Sequence, residues 1–135
     1  MNLERILSPP AEWMERISPI DAHHECARIL PYLHGDVVEV FCRSGRLGAY
    51  LQGEGVSWSG YDVDADILEH AFLRGIFSVS CALLPPKESC DVLFGAFAPF
   101  SYLSPEEVQS FVQGVHLALR AHGRALFELW KEPTA

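Results

Sequence analysis

Residues 37–51 read "VVEVFCRSGRLGAYL", and the reading of this stretch decides the fold. Val37 to Phe41 are mostly apolar β-formers with no polar alternation, the pattern of a strand covered on both faces. Cys42 to Gly45 form a short turn, and Leu47, Tyr50 and Leu51 then recur at helical spacing. A strand that runs through a tight turn into a helix delivers a ligand-binding loop at the strand's C-terminal end. Such turns usually carry several glycines, whereas this one has Gly45 and places the bulky Phe41 and Arg43 before it.

The neighbouring segments repeat the grammar. Upstream, Ser18 as a cap, Pro19 in the first turn and apolar Ile20, Ala27, Leu30 and Leu33 predict a helix that stops before Gly35. Downstream, a second strand ends in "GYDVD", and Asp64 is placed to cap a helix carrying Ile67, Leu68, Ala71 and Phe72. "IFSVSCA" predicts a short third strand and "CDVLFGAFAPF" a fourth, buried on both faces. In "SPEEV", Ser104, Pro105 and Glu107 spell a capping box, and Gly123 is expected to stop that helix before a fifth strand in "RALFELW". Strands alternating with helices predict right-handed crossovers and an α/β fold: three layers, doubly wound, with a mainly parallel sheet of about five strands. The first strand falls near the centre.

At 135 residues the chain is expected to be a single domain, 1–135. Residues 1–20 are two proline-punctuated pieces that predict a helical flap packed by Leu3, Ile6, Leu7, Trp13 and Ile17, with the core over 21–135. Ten basic against 18 acidic side chains give a net charge of -8, and the basic residues are scattered singly. That balance disfavours nucleic acid as a partner, because counterion release needs clustered cations. Cys26, Cys42, Cys81 and Cys90 form no CxxC pair or zinc spacing, which predicts buried free thiols in a reducing cytoplasmic setting. No run of 18 apolar residues and no signal-type N-terminus are present, so neither membrane spanning nor secretion is expected.

His23, His24 and Cys26 in "DAHHEC" suggest a metal site, but adjacent histidines point to different sides of a helix, so no metal is expected. Ser101 lacks a nucleophile elbow, and no catalytic residue is assigned. Phe97, Phe100 and Tyr102 follow the fourth strand, where core packing is the default reading.

From about Ile29 to Trp130 the chain resembles the class I S-adenosylmethionine-dependent methyltransferases, a Rossmann-like family. The residues that carry the resemblance are Glu39 and Gly45 of the first motif, "GYDVDADILEHA" as the second, and "SYLSPEE" with "LRAHGRALFELW" for the last helix and strand. It implies S-adenosylmethionine as cofactor, with Glu39 and Gly45 framing the loop and Asp62 taking the ribose hydroxyls, Asp64 nearby. In strict turn positions Phe41 and Arg43 stand where the family has its first two glycines, putting side chains where the methionine part would lie. The segment "SVSCALLPPKESCD" has no acid before Glu88 to meet the adenine. The family's C-terminal strand pair is also unmatched, so the fifth strand is expected to be a sheet edge exposing Phe127, Leu129 and Trp130.

These departures predict a degenerate methyltransferase-like protein with weak or absent catalysis, acting as a homodimer or as a noncatalytic partner subunit through that edge. The alternative is an active S-adenosylmethionine-dependent methyltransferase for a small substrate, since methyl transfer needs mainly alignment. A third reading, another nucleotide binder, would want more glycines than "FCRSG" offers.

Overall fold

The computed structural model describes residues 20–96, 100 and 103–128. The expected flap over 1–20 therefore falls outside the described residues apart from Ile20, as do the expected cap Ser18 and first-turn Pro19 of the helix that follows, and Phe97, Ser101, Tyr102, Leu129 and Trp130 also lie outside.

In chain order the elements are α1 (Ile20–Ile29), β1 (Asp36–Val40), α2 (Arg46–Gly53), β2 (Ser57–Asp62), α3 (Ala65–Leu73), β3 (Val79–Cys81), β4 (Cys90–Gly95), α4 (Pro105–Ala118) and β5 (Leu119–Phe127). The sheet order is β3-β2-β1-β4-β5, with every pairing parallel. Parallel neighbours need crossovers, and the order reverses beside β1, so the C-terminal ends of β1 and β4 frame the crevice of a doubly wound sheet.

Two apolar layers flank the sheet. Val37, Val92, Phe94 and Trp58 pack with Cys26 of α1, Leu47 and Leu51 of α2 and Leu68 and Ala71 of α3. On the other face Val38, Val40 and Leu93 pack with Phe111, Val115 and Ala118 of α4. Trp58 fits because Gly48 and Gly60 lack side chains; a Cβ on either would run into the indole. Here glycine serves close approach, not a turn.

Two boundaries differ from the sequence reading. The first helix ends at Ile29 and tightens into a 3-10 turn over Leu30–Tyr32, because Pro31 supplies no N–H to continue the α ladder. At the other end, α4 stops at Ala118 rather than at Gly123. The backbone N–H groups of Glu88 and Ser89 donate to the carbonyls of Leu117 and Ala118 at 2.9 Å, taking the groups a helix end leaves open. The chain is already extended at Leu119, so β5 begins there and Gly123 lies inside it, in an irregular stretch between the pairs Cys90↔Leu119 and Val92↔Arg124. β3 is confined to Val79–Cys81 and β4 ends at Gly95. The capping box at Ser104 and Glu107 forms as expected.

Candidate functional site

The turn after β1 takes positive φ at three alternate positions, only one of which is glycine. Phe41 and Arg43 both have φ 53°, and Gly45 has φ 74°. Left-handed backbone costs a non-glycine residue roughly 1–2 kcal/mol, so contacts elsewhere must hold this shape. The Cys42 N–H donates to Tyr61 O at 3.1 Å, and the Gly45 N–H to Cys42 O at 3.0 Å. The Arg43 N–H donates to Asp62 Oδ2 at 2.9 Å. β2 thus holds the loop at both Tyr61 and Asp62.

Asp62 is 1% exposed, and its second oxygen, Oδ1, accepts the Asp64 N–H at 2.9 Å. Burial raises its pKa, partly offset by those two N–H donors and by the nearby Arg43 guanidinium. Asp64 in turn caps α3, its Oδ1 accepting from Asp66 and Ile67. Both acids of "GYDVD" are therefore engaged with backbone amides.

Glu39 lies in β1 with its carboxyl buried against α2, where Oε1 accepts the Trp58 indole N–H at 3.2 Å. Desolvation holds its pKa well above the ordinary carboxylate range, against the pull of that hydrogen bond and of Arg46. Arg46, in the first turn of α2, donates through Nη2 to both carboxylate oxygens of Glu25 on α1, at 2.9 and 3.1 Å. Burial also pushes the Cys26 thiol up to about 12, helped by Glu39 and Glu25.

Phe41 and Arg43 are 7% and 6% exposed. The Phe41 ring lies against Phe111 of α4, 5.8 Å between centroids. Arg43 Nη1 is buried with no hydrogen-bond partner among the described residues. Between Glu39, Phe41, Arg43 and Arg46 the remaining void is ≈ 10 Å³, room for about one water. A larger cavity of ≈ 190 Å³ opens beyond it, between Glu25, Arg28, Leu47, Phe94, Phe127 and their neighbours.

Glu39, Gly45 and Asp62 all lie around the loop after β1. The structure also adds Arg46, Glu25 and Trp58. Sequence spacing offered no means of pairing Arg46 with a residue on another helix, although Glu25 lies within the "DAHHEC" segment. In that segment His23 Nδ1 is 2.7 Å from the Tyr50 hydroxyl. No group of three His, Cys, Asp or Glu suited to a metal occurs among the described residues.

With its strand order, crevice and motif positions in place, the chain has the class I S-adenosylmethionine-dependent methyltransferase fold. It is similar to the PH0226 protein from Pyrococcus horikoshii OT3, at 14% identity and TM-score 0.72, covering 98% of this chain and 63% of that one. The DhpI–SAM–HEP complex is similar at 18% identity and TM-score 0.68, covering 93% and 62%. An S-adenosylmethionine-dependent methyltransferase from Mesorhizobium loti follows at 22% and 0.63, covering 90% and 54%. The chain thus spans about half to just under two thirds of the length of these structures. No protein-family model matches the sequence, and no curated protein matches it either.

In this conformation the loop is closed around Asp62, which is 1% exposed. Each Asp62 oxygen accepts one backbone amide, and Phe41 and Arg43 are buried beside it. No chemical step through the cofactor follows from this arrangement.

Proposed function

We propose that this chain is a methyltransferase-like protein that works without methyl transfer, through association as a dimer or as a noncatalytic partner of another protein. The observation that carries the reading is the engagement of Asp62: its two oxygens hold Arg43 and Asp64, and the space beside the loop is ≈ 10 Å³. At 1% exposure that carboxylate is closed off from a ribose in this conformation, although each oxygen keeps a lone pair. The β5 edge, with half-buried Phe127 and no strand on its outer side among the described residues, is the face we assign to a protein partner, together with Leu129 and Trp130. A reducing, cytoplasmic setting belongs to the same reading and is supported by the free thiols of Cys26, Cys42 and Cys90, which are buried, and of Cys81, which is exposed rather than buried as expected. No helix among the described residues is long and apolar enough to cross a membrane.

The second reading, an active methyltransferase for a small substrate, draws on the ≈ 190 Å³ cavity beside the crevice. That volume falls short of the roughly 300–1,000 Å³ of ordinary ligand sites. Calorimetric titration with S-adenosylmethionine and S-adenosylhomocysteine separates the two. Silence up to millimolar ligand is expected; micromolar binding that Asp62→Ala abolishes would overturn the noncatalytic reading.

A further inference from the structure

Exposed apolar surface gathers at the edge of the sheet opposite β5. Phe72, Leu73 and Phe77 are 49%, 79% and 67% exposed, and the two phenylalanine rings lie 5.8 Å apart. They sit at the C-terminal end of α3 and on the turn into β3, beside an open groove of ≈ 280 Å³ between Leu68, Phe72, Val79 and Cys81. The outer side of β3 has no strand partner among the described residues. Other large exposed apolar side chains, Tyr32, Val112 and Leu117, belong to other elements. A cluster of this kind, next to an open sheet edge, marks an interaction surface rather than scattered exposure.

We infer that the occupant is a second copy of this chain, packed two-fold across α3 and the β3 edge. Area is the first argument. The three side chains present on the order of 350 Å² per copy, so a two-fold contact that also covers their flanks and the β3 edge reaches the ~1,000 Å² a specific interface needs. Charge is the second. Along α3 the acids Asp66 and Glu69 come first and Arg74 closes the helix. With the two-fold axis perpendicular to α3 the helix runs antiparallel to its copy, which brings Arg74 towards the partner's Glu69 at both ends of the contact. The patch is thus self-complementary in shape of charge as well as apolar. This contact is independent of whether the cofactor binds, and it leaves the β5 edge free.

Sedimentation equilibrium on the full chain tests it. A dimer is expected, with a Kd on the order of 10 μM. Leu73→Glu and Phe77→Glu are each expected to weaken it at least ~30-fold. Both side chains are mostly exposed, so the unfolding midpoint should hold and separate lost association from lost folding. A monomer throughout, a dimer that withstands both substitutions, or a dimer disrupted instead by Ala125→Arg on β5 would overturn the inference.

Discussion

The Arg43 N–H and the Asp64 N–H meet the two oxygens of the same Asp62 carboxylate, each at 2.9 Å, so one buried side chain ties the loop after β1 to the cap of α3. Asp62→Ala leaves two amides without their acceptor in a site closed to water. The expected loss of stability is about 3 kcal/mol, read from urea unfolding. Asp62→Asn keeps one acceptor and should fall between the two. A purely ligand-facing acid would tolerate both substitutions without loss.

Phe41 and Arg43 share a left-handed backbone but should respond to glycine in opposite directions. Arg43→Gly keeps the N–H that Asp62 accepts, relieves positive φ and removes a buried guanidinium nitrogen that lacks a partner. A gain of about 1–2 kcal/mol is expected. Phe41→Gly also relieves strain but empties a ring site against Phe111, for a net loss of about 2 kcal/mol. Equal effects in urea unfolding would contradict this assignment.

Glu39 gives the chain a pH dependence of definite sign. Burial raises its pKa in the folded state, while the unfolded chain releases that proton near pH ~4.3. Stability is therefore greatest below the unfolded value and declines as pH rises towards the folded one. Glu39→Gln keeps an oxygen for the Trp58 indole and removes the titration. Its advantage over the parent should widen as pH rises above the unfolded value, followed by denaturation midpoints through that rise. The raised Asp62 acts with the same sign but is common to both proteins and cancels.

Gly48 and Trp58 form a size-matched pair. Gly48→Ala should cost about 1–3 kcal/mol by overpacking, despite alanine's better helix propensity. Combined with Trp58→Leu the cost should be less than additive, as a double-mutant cycle would measure. Strict additivity would mean that the indole already has room.

The parallel sheet and the centrality of β1 were legible because β1 and β4 are largely apolar runs between turn signals and strands alternate with helices, which right-handed crossovers arrange in few ways. The Ser104–Glu107 box was legible for the same local reason. The end of α4 was not, since it depends on Glu88 and Ser89 reaching back from a distant loop, which no window around Gly123 contains. At the site, Glu39, Gly45 and Asp62 could be placed from their positions at strand ends. That Asp62 turns inward onto Arg43, and that Arg46 reaches Glu25, are facts of three-dimensional packing between elements far apart in sequence. The same holds for the exposed cluster at Phe72, Leu73 and Phe77, because apolar residues on α3 look alike in sequence whether they face the sheet or the solvent.

The run of φ values at Phe41, Arg43 and Gly45 shows what sets the shape of this loop. Glycine makes this turn easy, yet the shape is imposed by where β1 ends, where α2 begins and what Asp62 grips. With those three fixed, the curve of the chain is drawn by its surroundings, and positions 41 and 43 hold it without glycine.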